Sequence, residues 1–232
     1  LTPDDPRLLT QGPRTTSHQN KEPMLNDWGS RDQNFIDMNA RVRDRLLAIA
    51  NAADTHICVP LQGSGTFVVE AALCTLIPRD GKALILINGA YGHRMSKILN
   101  YVGRPYVIQE TPEDQPPSID ALDQALTDDP DISHVLTVHC ETTSGILNPV
   151  EEIAHTVKAH DRFMIIDAMS AFGAIALDAA KIPFDALMAS SNKCLEGVPG
   201  MGFALIREHV LAECEGNAHS LSLDLYDQWQ AM

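Results

Sequence analysis

The chain has 232 residues, 44% of them hydrophobic and 21% charged, an ordinary composition for one large α/β domain or two small ones. Its formal net charge of -14 repels nucleic-acid phosphates and anionic lipid surfaces, so neither is expected as a partner, and an anionic substrate needs a local positive site. No apolar run approaches the ~18 residues of a membrane span, and residues 1–14 are polar and Pro-rich without an apolar core, so neither a transmembrane helix nor a secretory signal is expected.

In chain order, residues 1–35 have little apolar periodicity and many turn formers and read as an extended arm, with a distinctive cluster at Asp27-Trp28-Gly29-Ser30-Arg31-Asp32. A helix is expected over 41–51, carried by Leu46, Leu47 and Ile49, and a buried one over 65–77. The continuous apolar run 83–87 predicts a strand covered on both faces. Then follow a helix over 92–100, a short strand over 105–109, and a helix opened by Ser118, whose segment Ser118-Ile119-Asp120-Ala121 reads as a capping box. A strand over 134–138, a helix over 150–160, and strands over 163–166, 185–190 and 202–206 complete the set. Alternating strands and helices predict an α/β layer with a mostly parallel sheet, so residues 36–232 read as one large domain. Leu221, Leu223, Leu225, Tyr226 and Trp229 near the end call for a partner surface. The five cysteines, Cys58, Cys74, Cys140, Cys194 and Cys214, are odd in number and widely spaced without a C-x-x-C pair. That fits reduced thiols in the cytoplasm better than disulfides, and no metal site is expected.

The chemistry concentrates where strands end. Gln62-Gly63-Ser64-Gly65-Thr66 precedes an apolar helix; glycines let backbone amides approach a ligand, and the helix N-terminus suits a phosphate, although a capping turn alone also explains the pattern. Tyr91, between small residues after a buried strand, reads either as a stacking platform for a flat group or as a core aromatic. His139-Cys140-Glu141-Thr142-Thr143 offers hydroxyls at another strand end; His139 and Cys140 are adjacent and so point to opposite faces of a strand, which argues against a Cys-His nucleophile. Asp167 ends an apolar strand, where open α/β sheets bind ligands; it is either an N-cap or a carboxylate held against a cationic ring nitrogen. Lys193, in Ser190-Ser191-Asn192-Lys193-Cys194-Leu195, has no charged neighbour before Glu196, and in such surroundings a lysine can lose its proton and attack a carbonyl to form a Schiff base.

Together these segments resemble the 2-aminoethylphosphonate–pyruvate transaminase family, within the class V aminotransferases of pyridoxal-phosphate (PLP) fold type I. The resembling stretches are LLTQGPRTTS (8–17), LNDWGSRD (25–32), VPLQGSGTFVVEA (59–71), NGAYGHRM (88–95), HCETTSGILNP (139–149), DAMSAFGA (167–174), SSNKCLEGVPG (190–200) and SLSLDLYDQW (220–229). The resemblance implies that Lys193 carries PLP as a Schiff base and shuttles the proton, and that Asp167 keeps the pyridine nitrogen protonated. It also implies that Ser64, Gly65 and Thr66 bind the cofactor phosphate with help from Asn192, that Tyr91 stacks on the ring, and that Thr143 approaches the ring hydroxyl. Arg31 and Arg94 are the basic residues nearest these motifs, each a candidate phosphonate contact or a structural ion-pair partner. The implied reaction passes the amine of 2-aminoethylphosphonate to pyruvate, giving phosphonoacetaldehyde and L-alanine, in a cytoplasmic homodimer. Other class V aminotransferases, of the alanine–glyoxylate or serine–pyruvate type, share the lysine, the acid and the phosphate turn. Two local departures stand out: Gln11 replaces a usual proline and Met201 a usual phenylalanine. The family pattern also implies a small C-terminal domain, absent from this chain, that supplies further substrate contacts.

Overall fold

Strand periodicity and helix amphipathicity sort the apolar residues onto two faces of one sheet. The structure, a computed structural model, describes residues 7, 8, 10 and 12–232; Gln11 lies outside them. The strands are β1 (His56–Gln62), β2 (Lys82–Ile87), β3 (Tyr106–Glu110), β4 (Ile132–Val138), β5 (Phe163–Asp167), β6 (Ala186–Ser190) and β7 (Met201–Arg207). They form one seven-stranded sheet in the order β1-β7-β6-β5-β4-β2-β3. The pairs among β2 to β6 are parallel; β7 runs against both of its neighbours, β6 and β1. The expected mostly parallel α/β sheet is therefore present.

The helices are α1 (His18–Lys21), α2 (Gln33–Ile49), α3 (Gly65–Leu76), α4 (Ala90–Val102), α5 (Ile119–Asp128), α6 (Val150–Ala159), α7 (Glu208–Ala212) and α8 (Leu225–Gln230). Leu84 and Leu86 of β2 share one core with Leu46 and Leu47 of α2, Leu122 of α5 and Ile153 of α6. Ala83, Ile85 and Ile87 of the same strand face the other core, with Val68 and Leu73 of α3, Leu99 of α4 and Leu225 of α8. The unbroken apolar run 83–87 is thus the sequence of a strand covered on both sides, as expected.

Several expectations are revised. β1 has no counterpart among the predicted strands: Pro60 interrupts its pattern, yet β1 is a sheet edge, where a missing N–H costs no ladder bond. Residues 1–35 are not extended throughout, because α1 and a 3-10 turn at Glu22–Leu25 lie within them, and α2 begins at Gln33 rather than near residue 41. Ser118 does cap α5, accepting from the Ala121 N–H, but only half of a capping box exists, since alanine at 121 carries no acceptor to return the bond. The apolar tail finds its partner within the chain: Leu225 is fully buried, and Leu223, Tyr226 and Trp229 pack on the second core, while Leu221 stays exposed.

Candidate active site

Period-two alternation decides which side chains reach the ligand face. Ile165 of β5 belongs to the second core, so Asp167, two residues on, faces the same side at the strand's carboxyl end. Met188 of β6 does likewise, which brings Ser190 to that face. α3 and α4 cover this side and start at the same edge, following β1 and β2. The result is a cavity of about 180 Å³ between strand ends and helix N-termini.

Eight of the candidate residues line that cavity: Ser64, Gly65 and Thr66 on the α3 turn, Tyr91 and Arg94 on α4, Asp167 on β5, and Asn192 and Lys193 after β6. Ser64 occupies the N-cap position of α3 but its hydroxyl makes no capping bond. The capping explanation of this turn is thereby weakened, and the hydroxyl remains available to the cavity. A Cβ on Gly65 would come within 2.8 Å of the Met169 sulfur, so a larger residue here would push the Met169 side chain aside. Arg94 Nη1 donates to Thr66 Oγ1 at 3.2 Å, and its guanidinium lies 4.7 Å from the centre of the Tyr91 ring.

Asp167 is 3% exposed, and one of its oxygens, Oδ1, accepts from the Met169 N–H at 3.0 Å. It therefore fastens the turn after β5; no helix follows for it to cap. Burial pushes the Asp167 carboxyl up to about 6, the nearby Glu141 charge adds to this, and the Met169 N–H, Arg94 and Lys193 oppose it. Burial prevails, so the chain's own positive groups do not compensate this carboxylate fully. A cationic ring nitrogen in the cavity would complete the compensation, which is the observation that fits these residues to a pyridine cofactor.

Lys193 stands on a loop fixed from below and above. Ser191 takes its N–H to the Met201 carbonyl at 3.0 Å, its hydroxyl to the Val198 carbonyl at 2.6 Å, and receives the Gly197 N–H at 2.7 Å. From above come Arg14, paired with Glu196 at 3.1 Å, Thr16, donating to the Gly197 carbonyl at 3.4 Å, and Asn20, donating to the Glu196 carbonyl at 3.3 Å. Gly12 presses on the lysine itself: a Cβ there would lie 2.4 Å from Lys193 Cδ. This clamp by the N-terminal segment had no signal in the sequence beyond an abundance of turn formers.

Two candidates fall elsewhere. Thr143 does not line the cavity; its hydroxyl accepts from the Ala90 N–H at 3.4 Å and donates to Glu141 Oε1 at 2.8 Å. Arg31 lines a separate surface pocket with Phe35, Asn39 and Gln228. The rejected Cys-His pair stays rejected: burial pushes His139 down to about 4 and the Cys140 thiol upward, so the two favour a neutral ring and an unreactive thiol. Sequence reasoning missed Val69, Met169 and Ser190 in the lining, whose only signals were strand alternation and helical spacing. Among the described residues no group of three or more His, Cys, Asp or Glu could hold a metal ion, and no helix is long and apolar enough to cross a membrane.

A lysine and a buried acid facing one cavity at the carboxyl edge of a mostly parallel sheet, across from a helix N-terminus, describe the class. The aminotransferase class-V family model matches residues 18–221, and the chain belongs to that family. Its fold is similar to that of pyridoxamine-pyruvate aminotransferase from Mesorhizobium loti, with a TM-score of 0.89 at 25% identity over 98% of this chain and 59% of that one. It is also similar to ureidoglycine-glyoxylate aminotransferase from Bacillus subtilis, with a TM-score of 0.87 at 22% identity over 93% of this chain and 56% of that one. Within the family it is 58% identical, over 96% of its length, to a 2-aminoethylphosphonate--pyruvate transaminase of Pseudomonas putida. It is 56% identical, over 98% of its length, to one of Pseudomonas fluorescens. The chain spans 61% and 62% of the length of these two curated relatives.

Proposed function

We propose that this chain uses pyridoxal 5'-phosphate to move the amino group of 2-aminoethylphosphonate to pyruvate, giving phosphonoacetaldehyde and L-alanine, in phosphonate degradation. The observation that carries the reading is the convergence of Lys193 and Asp167 on one cavity beside the Ser64-Gly65-Thr66 turn, in a chain 58% identical to a relative of that name. When bound, the cofactor supplies an electron-withdrawing ring that spreads the charge left when a proton leaves the substrate carbon. Lys193 is the nucleophile that would hold the cofactor, and its Nζ would be the group to take that proton and return it. Asp167 would keep the ring nitrogen protonated. Gly65 and Thr66 would offer N–H groups at the first turn of α3 to the phosphate, joined by the Ser64 hydroxyl and Asn192. Asn192 is oriented for this by Ser190, whose hydroxyl donates to its side-chain oxygen at 2.9 Å. Tyr91 would give the ring an aromatic face.

Arg94 was a candidate substrate contact. Its bond to Thr66 favours a place beside the cofactor phosphate instead. Arg31 lines a separate pocket and does not reach this cavity. The proposal extends to a cytoplasmic homodimer, supported by the exposed apolar side chains of Met24, Leu25 and Trp28 on the N-terminal segment. Sedimentation would test the dimer.

The test of the function is a spectral titration of purified protein with pyridoxal 5'-phosphate, followed by amine donors. A visible band that fades with 2-aminoethylphosphonate and returns with pyruvate is expected. Fading with alanine or serine instead would replace this donor by that of another class V aminotransferase, and a band indifferent to every amine would leave cofactor binding alone.

A further inference from the structure

Glu141 is fully buried, 0% exposed, and belongs to none of the roles assigned above. Instead of an ion-pair partner it meets three hydrogen-bond donors. Oε1 accepts from the Thr143 N–H at 3.3 Å and from the Thr143 hydroxyl at 2.8 Å, and Oε2 accepts from the Tyr91 N–H at 3.3 Å. Burying a carboxylate is costly unless hydrogen bonds or a counter-charge offset the lost water, and here the three donors do so. The N-cap of α4 is Gly89, which has no side chain to cap the helix. The N–H groups of its first two residues turn to the loop after β4: Ala90 to the Thr143 hydroxyl at 3.4 Å, and Tyr91 to Glu141. A carboxylate at a helix N-terminus is also favoured by the helix dipole. The glycine follows from the same arrangement, because a Cβ at position 89 would lie 2.4 Å from Glu141 Cγ and 2.7 Å from Thr143 Oγ1.

We propose that Glu141 is a positioning residue that caps α4 from a different loop and so fixes the Tyr91 ring relative to Asp167 across the cavity. The inference rests on the cofactor reading above. Ordinary caps come from the residue before the helix; here the cap comes from the next strand in the sheet, so the orientation of Tyr91 is tied to the β4 end rather than to its own turn. The charge of Glu141 also reaches Asp167, where it favours the protonated acid.

The experiment compares wild type with Glu141→Gln, which keeps the length but turns one acceptor into a donor, and Glu141→Asp, which keeps the charge but withdraws it. Cofactor affinity and the visible circular dichroism of bound pyridoxal 5'-phosphate, which reports the ring's orientation, are measured beside the melting temperature of the cofactor-free protein. Both variants are expected to weaken cofactor binding about tenfold, the size of one lost positioning bond, and to change the visible dichroism per bound cofactor. A lower melting temperature with unchanged dichroism and affinity would reduce Glu141 to a structural role and overturn the proposal. Should Glu141→Gln not fold, Thr143→Val removes part of the cap while leaving the Glu141 carboxylate in place, and an unaltered dichroism there overturns the proposal equally. Wild type without any visible band would defeat the cofactor reading itself, and this inference with it; a normal wild-type band with silent variants defeats this inference alone.

Discussion

Two aspartates at opposite ends of the same pair of strands, Asp167 buried and Asp185 half-buried, differ in how their charge is met. Asp185, just before β6, accepts the Met164 N–H at 2.8 Å and is paired with Arg207 at 3.4 Å. Asp167, at the end of β5, accepts the Met169 N–H at 3.0 Å but has no guanidinium at that range; Arg94 and Lys193 act on it only as nearby charges. Burial raises both carboxyls, and in both cases one N–H opposes it. The difference lies in the counter-charge. Asp185 has its own within the chain, whereas Asp167 faces a cavity where a bound cation can supply it. A buried acid with an incomplete partner set is the stronger pointer to function.

The largest expected effect is that of Lys193→Ala: the visible band should be absent at every cofactor concentration, as absorption spectroscopy would show. Asp167→Asn should retain the fold and weaken cofactor binding by roughly 100-fold, the scale of a lost charge-assisted contact, as a fluorescence titration would read. The same acid gives a pH test. Its folded value, about 6, lies above the ordinary 3.8, so in the cofactor-free protein it contributes stability below 3.8 that is lost as pH rises through about 6. Cofactor binding should accordingly strengthen as pH rises through about 6 in wild type, and Asp167→Asn should flatten that dependence. Asp185→Asn should do the reverse of Asp167→Asn, lowering stability by about 2 kcal/mol in a denaturant melt while leaving cofactor affinity unchanged. Equal effects of the two aspartate substitutions on affinity would erase the contrast between them.

An opposite pH effect on stability comes from His56, His134 and His139, each held down to about 4, first by burial. Their folded values lie below the ordinary 6.5, so the stability they contribute is present above 6.5 and is lost as pH falls to about 4. Three such groups outweigh the single Asp167, and the melting temperature should fall between pH 6.5 and 4. The smallest effect is that of Arg31→Ala, for which a cofactor affinity within about twofold of wild type is expected, consistent with its separate pocket.

Much of this was legible because local chemistry and periodicity agree. The run 83–87 needed apolar cover on both faces, and the strand ending at Asp167 put an acid at the ligand-binding edge. Lys193 stood out as a lysine without charged neighbours. What escaped the sequence was non-local. β1 is tolerable with Pro60 only because it is an edge; Gly12 reaches Lys193 and Arg14 reaches Glu196 from nearly two hundred residues away; and Gly89 and Glu141 explain each other only once α4 and the β4 loop are side by side.

The sequence by itself determined the alternating elements, the residue types at the strand ends and the family pattern, because these follow from side-chain polarity and spacing along one chain. The tertiary structure alone decided which of those residues share a cavity, that Arg94 sits by Thr66 while Arg31 does not reach the cavity, and that Asp167 lacks the close partner that Asp185 has. Each of these depends on burial and on distances between segments far apart in the chain, and neither polarity nor spacing encodes such distances residue by residue.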